Sequence, residues 1–152
     1  MKNCIFCKIV KKEIPCVKIW EDKNYLAFLD LNPNTKGMTL VIPKKHFDSD
    51  AIDMPEKEYS ELMLMAKKIA KILEKGLDVK RVAIVMEGLG VNHVHIKLYP
   101  IYGLNEKFTE IWAKDRVYFE KYIGYISTQL GPELSMEERQ EIADKILKNK
   151  KY

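Results

Sequence analysis

A chain of 152 residues has the length of one domain, able to bury about 68–70% of its extended-chain surface, so no disulfide staple is demanded. Its composition, 47% hydrophobic and 32% charged with seven Gly and six Pro, excludes disordered and repetitive classes. The net charge of +4 is weaker evidence for nucleic acid than a basic stripe would be, and it suits small anionic ligands equally well.

Three cysteines stand at 4, 7 and 16. An odd number with two only three positions apart does not read as a disulfide framework, and a reducing compartment fits better. No apolar run approaches 18 residues, and Met1-Lys2-Asn3-Cys4 lacks the apolar stretch of a signal peptide. The expectation is a cytoplasmic protein.

In chain order, residues 4–10 form a compact apolar start carrying Cys4-x-x-Cys7, and 11–15 a turn. Residues 17–21 alternate like a strand, Asp22-Lys23-Asn24 is turn chemistry, and 25–29 is a second strand, giving a hairpin. A loop rich in breakers, 30–37, leads to a third strand over 38–42 that Pro43 ends. Residues 55–75 predict the clearest helix, with Tyr59, Leu62, Met63, Ala66, Ile69, Ala70 and Leu73 as its apolar stripe. Asp53 with Glu56 reads as its capping box and Gly76 as its stop. Residues 81–86 predict a fourth strand, apolar enough for a sheet centre, and 87–90 turn the chain.

The next strand, 91–100, alternates strictly. Val94, Ile96 and Leu98 share one face, while His93, His95 and Lys97 share the other at roughly 6–7 Å spacing. Crowding potential cations on one face costs energy unless an anion or a metal is received there. Two of the chain's three histidines lie here, where neutral imidazole serves as nucleophile or metal ligand. Beyond 105 the pattern changes to an aromatic-rich segment with Phe108, Trp112, Tyr118, Phe119, Tyr122 and Tyr125, read as core or interface. Ser135 and Glu138 then cap a helix to about 148. The whole is an α+β domain, with a core over 1–105 and a helical extension over 106–152 packed on it.

Each candidate has a plain alternative. Cys4 and Cys7 are two packed thiols, a redox pair, or half of a tetrahedral zinc site whose remaining ligands come from His46, His93, His95 and Cys16. His46 alone, after Lys44-Lys45, is a surface residue, and Lys97 alone is a solvated strand lysine. Asp30 either caps its own turn or accepts two ribose hydroxyls.

Taken together, these segments resemble the histidine triad (HIT) family of nucleotide-binding proteins. His93-Val94-His95-Ile96-Lys97-Leu98-Tyr99 is similar to the family's His-x-His-x-His followed by two apolar residues. Residues 4–10, Trp20-Glu21-Asp22, Ala27-Phe28-Leu29-Asp30 and 37–46 look like family segments in family order, and the likeness spans about 3–105. The resemblance implies an antiparallel sheet of about five strands with helices on one side, and a homodimer in which two sheets join. It implies purine nucleotide binding and hydrolysis or transfer of nucleoside monophosphate groups, from substrates such as nucleoside phosphoramidates or dinucleoside polyphosphates. His95 takes the place of the nucleophile, Asp30 that of the ribose ligand, and Phe28 and Leu31 the start of the base pocket.

In the zinc-bearing branch the structural Zn2+ ligands match Cys4, Cys7, His46 and His93. Three departures stand out: Lys97 replaces the third histidine, Met38 follows Gly37 where many members have His, and the turn at 88–91 is shortened. Lys97 and an anion nest of Gly88 to Gly90 amides remain as phosphate contacts. A nucleotide-binding or sensing module without useful turnover is the alternative reading, and nucleic-acid binding a weaker third.

Overall fold

The computed structural model describes residues 3–112, 116 and 118–121. Chain contacts divide into two units, 1–109 and 110–152. The first unit holds every element below, and the helix expected over 135–148 lies outside the described residues.

Helix α1, Ile5–Val10, buries Phe6 and Ile9. Strands β1 (Lys18–Glu21) and β2 (Tyr25–Leu29) form the expected hairpin. Its turn is fixed by Asp22 Oδ1, which accepts from the Asn24 and Tyr25 N–H groups at 2.8 Å. Strand β3, Thr39–Pro43, pairs with β2 along its whole length. Pro43 is the last residue of the strand, opposite Tyr25, so the strand ends there and includes the proline.

Helix α2, Glu56–Leu77, has 22 residues and buries Leu62, Ala66, Ile69, Ala70 and Leu73. Its ends differ from expectation. Pro55 occupies the N-cap without a side-chain cap, and Asp53 lies in a 3-10 turn, Ala51–Asp53, that Asp50 caps instead. Proline at the entrance presets φ and has no N–H to satisfy, so the box is not required. At the other end Gly76 stays helical and Asp78 takes the left-handed conformation, φ 51°.

Strands β4 (Arg81–Val85) and β5 (Ile96–Ile101) complete an antiparallel sheet of order β1-β2-β3-β5-β4. β4 is thus an edge strand, not a central one. The sheet separates two cores. On one face α2 packs against Ala27, Val41, Val94, Ile96 and Leu98. On the other, Phe6 and Ile9 of α1 pack against Leu26, Phe28, Leu40 and Ile42, so helices lie on both faces rather than one. Phe108, the one tail aromatic in this unit, is exposed rather than core. Among the described residues no helix is long and apolar enough to cross a membrane.

Candidate metal centre and catalytic histidine

β5 begins at Ile96, so His93 and His95 precede the ladder instead of sitting within a regular strand. The approach segment is held from the side by 43–49. The Val94 N–H donates to the Phe47 carbonyl at 3.1 Å, the Ser49 N–H donates to Asn92 Oδ1 at 2.9 Å, and Asn92 Nδ2 donates to Asp48 at 3.0 Å. The alternation persists ahead of the ladder, since His93 and His95 share the face that Phe6 covers while Val94 and Ile96 pack on the α2 side, and both histidines are buried, at 0% and 4% exposure.

His93 meets Cys4, Cys7 and His46. The four donor atoms lie within 4.8 Å of one another. His46 Nδ1 is 3.2 Å from His93 Nδ1, and three of the sulfur–nitrogen separations are 3.4 Å (Cys7–His46), 3.5 Å (Cys4–His93) and 3.6 Å (Cys7–His93). A tetrahedral ion with ordinary Zn–N and Zn–S bonds needs edges of about 3.3 Å between nitrogens and about 3.6 Å between nitrogen and sulfur. The group can therefore hold a metal ion as it stands. His93 Nε2 donates to the Pro43 carbonyl at 2.9 Å, which leaves the Nδ1 lone pair facing the cluster. Burial holds the His93 pKa down, again favouring the neutral ligand form. His95 and Cys16, weighed as ligands from the sequence, stand outside the group.

His95 is oriented by a second carbonyl. Its Nδ1 lies 2.8 Å from the His93 oxygen, which can only accept, so Nδ1 carries the proton. Burial, first, and the Lys97 charge hold the His95 pKa below its ordinary value. A neutral ring protonated on Nδ1 presents its lone pair on Nε2. Phe6 sets its ring edge-on to His95, His93 and Phe28, with centroids 5.4, 5.8 and 5.8 Å away. It joins the metal group to the residue expected to open the base pocket, although the sequence marks it only as an apolar member of Cys4-x-x-Cys7.

The other expected site residues are distributed as follows. Asp30 Oδ1 accepts from the Asn32 N–H at 2.8 Å, the local turn role, and Asp30 also contributes to the field at His95. Leu31 is exposed and Phe28 buried. Gly88, at φ 71°, packs so closely that a Cβ would stand 2.6 Å from the Ser49 carbonyl. Gly90 borders an open cleft of about 700 Å3 with Cys4, His46 and Asp48. Lys97 is 21% exposed and pairs with Glu87, itself 10% exposed, a carboxylate the sequence reading missed. The available signal was its position two residues beyond Val85, on the same face as that strand residue.

The HIT domain family model matches residues 11–102. The chain belongs to the HIT family. An uncharacterized HIT-like protein of Methanocaldococcus jannaschii is 41% identical over 115 residues, spanning 71% of this chain and 88% of the relative. The adenosine 5′-monophosphoramidase HNT1 of Saccharomyces cerevisiae is 36% identical over 124 residues, 78% of this chain and 75% of the yeast protein. Among solved structures, a HIT family member from Bacillus subtilis superposes with a TM-score of 0.68 at 29% identity, covering 99% of both chains. That agreement carries the five-stranded antiparallel sheet with helices as a HIT fold.

Proposed function

We propose that this protein is a nucleotidyl hydrolase or transferase that cleaves nucleoside phosphoramidates or dinucleoside polyphosphates through a covalent nucleotidyl–His95 intermediate. The observation that carries the reading is the state of His95: buried, neutral and hydrogen-bonded through Nδ1 to a carbonyl, with its Nε2 lone pair available. That lone pair attacks the α-phosphorus and a phosphorus–nitrogen bond forms. The bond to the leaving group breaks, and the leaving group departs with the electron pair and takes up one proton. Water then cleaves the phosphorus–imidazole bond, releasing the nucleoside monophosphate and one proton and restoring Nε2.

Binding follows the family pattern. Phe28 and Leu31 border the base, Asp30 accepts the ribose hydroxyls, and Lys97 with the Gly88 and Gly90 amides meets the phosphate. An ammonium has donors but no acceptor, so Lys97 neutralises charge and does not relay a proton as imidazole would. Cys4, Cys7, His46 and His93 form a closed Cys2His2 set suited to structural zinc, which would supply rigidity next to His95 and take no part in the bond changes. The working unit is a homodimer whose two sheets join along β4, one of the sheet's two edge strands with β1.

Incubation with adenosine 5′-phosphoramidate tests the reading. Wild type is expected to release AMP at least about a thousandfold faster than His95→Ala, the scale of loss when a nucleophile is removed. A nucleotidylated protein should be trapped by rapid acid quench and mass spectrometry. Equal rates in the two proteins would overturn the catalytic assignment, and AMP binding without turnover would leave the binding module.

A further inference from the structure

Strand β5 alternates buried and half-buried residues from Ile96 to Ile101. Ile96 and Leu98 pack toward α2, so Lys97 and Tyr99 stand on the opposite side of the sheet, where Phe6 meets His95. His95, Lys97 and Tyr99 thus form one row on one stretch of chain, successive members roughly 6–7 Å apart. The neighbouring strands put apolar residues beside the last two. Leu40 of β3 and Val85 of β4 are paired with Lys97, and Ala83 of β4 is paired with Tyr99. None of these three side chains can donate a hydrogen bond.

Tyr99 is the neutral donor of that row. It occupies the second of the two positions that the triad pattern gives to apolar residues, so its hydroxyl is a departure of this chain, as Lys97 is. The ring is half-buried, and among the described residues the hydroxyl has no hydrogen-bond partner. By contrast, the Tyr25 hydroxyl is held by Glu61 and the Tyr102 hydroxyl by the Lys36 carbonyl. Burial, first, and the Glu87 and Asp30 carboxylates push the Tyr99 pKa above the ordinary phenol value against the pull of Lys97. The phenol therefore keeps its proton at neutral pH and remains a donor.

The order along the row carries a direction. In the proposed reaction His95 Nε2 attacks the phosphorus while Lys97 meets the phosphoryl oxygens. Displacement at phosphorus is in line, so the leaving atom departs on the side away from His95. With the phosphoryl group over Lys97, that side faces Tyr99, and the water that cleaves the intermediate enters there too. We infer that Tyr99 is a catalytic residue of the nucleotidyl-transfer site: its hydroxyl hydrogen-bonds the leaving atom as the bond to phosphorus breaks, then accepts from the water that replaces it. The inference rests on the nucleotidyl–His95 reading and fills the departure side, to which that reading assigns no residue. Tyr99 keeps its own proton through both steps. The leaving group takes its proton from solvent, and the hydrolytic water returns one.

The test compares wild type, Tyr99→Phe and His95→Ala on two derivatives of AMP, an alkyl phosphoramidate and the p-nitrophenyl ester. Circular dichroism and sedimentation serve as controls on fold and assembly. A departing alkylamine gathers charge on one nitrogen and gains from a donor, whereas p-nitrophenolate spreads its charge over the ring and gains little. The kcat/KM value reports the steps through departure of the first leaving group, so it isolates this contact from hydrolysis of the intermediate. Tyr99→Phe should lower kcat/KM at least about tenfold on the phosphoramidate and no more than about twofold on the ester. A merely structural role would lower both alike. A loss no greater on the phosphoramidate than on the ester, or no loss at all, overturns the role of Tyr99 and leaves His95 catalysis standing. Wild type no faster than His95→Ala on the ester overturns the His95 reading, and the role of Tyr99 with it.

Discussion

Two backbone carbonyls decide the chemistry of the two buried histidines. The Pro43 oxygen accepts from His93 Nε2–H and the His93 oxygen accepts from His95 Nδ1–H, so the rings expose opposite nitrogens, one to Cys4, Cys7 and His46 and one to the proposed phosphoryl site. Neither carbonyl is identifiable from a sequence pattern, because it is a backbone atom brought close by the fold. The side chains were legible: Cys4-x-x-Cys7 with His46 and His93 stood out because thiols and imidazoles are scarce in this chain. Glu87 was not, since one glutamate among 22 acidic residues carries no mark until a register places it. Away from the site, Tyr25 offers a separate test of side-chain burial. Burial and the 3.2 Å hydrogen bond from its hydroxyl to Glu61 push its pKa up to about 12. A raised folded-state value means that the stabilisation is complete below the unfolded value near 10 and is lost as pH climbs toward 12. Thermal melts at pH 9 and 11.5 should therefore show a larger fall for wild type than for Tyr25→Phe, by on the order of 1–2 kcal/mol. Parallel falls would show that the hydroxyl titrates as it does in the unfolded chain.

At the level of elements, short-range pattern and long-range order separate cleanly. The β1–β2 hairpin follows from alternation and Asp22, and the buried stripe of α2 follows from its 3.6-residue period. The position of β4 does not follow, because an apolar strand reads alike whether its neighbours are in the same chain or in another. Within one chain β4 is an edge with Ile84 40% exposed, an arrangement that proteins ordinarily blunt with charge or cover. Joining of two sheets along this seam predicts a specific failure. Ile84→Lys places a charge in the middle of the edge, leaves the intrachain ladder to β5 intact, and should convert a dimer to a monomer at micromolar concentration. Sedimentation or light scattering reads the mass directly. A wild-type monomer, or an Ile84→Lys dimer of unchanged affinity, would refute the seam. The helix ends show the same limit on a smaller scale: Pro55 and Asp78 do the work expected of Asp53 and Gly76, because backbone angles set by packing override residue preference.

For the molecule as a whole, the Cys4, Cys7, His46 and His93 group would be a long-range fastener when it holds a metal ion. Cys4 reaches across 89 positions to His93, and Cys7 across 39 to His46, so one ion would close loops that join α1, the segment after β3 and the approach to β5. The core facing α2 contains none of these ligands and stands on Leu62, Ala66, Ile69, Val94, Ile96 and Leu98. Metal removal should thus act on one face of the sheet before the other. Binding to the folded state alone contributes about 4 kcal/mol when free metal exceeds its Kd a thousandfold. Dialysis against a chelator should lower the melting temperature by roughly 8–16 °C, scaled for a domain near this size. Hydrogen exchange should rise first in α1, at 43–49 and at 91–95, while α2 and β5 from Ile96 onward stay protected. Zinc should reverse both changes in wild type and neither in Cys7→Ser. Since the carbonyl that orients His95 belongs to His93, metal-free protein should also lose AMP release while keeping most of its secondary structure. An unchanged melting temperature and unchanged exchange at α1 would mean that the four side chains are held by the fold alone, and that the ion is no part of what fixes the nucleophile.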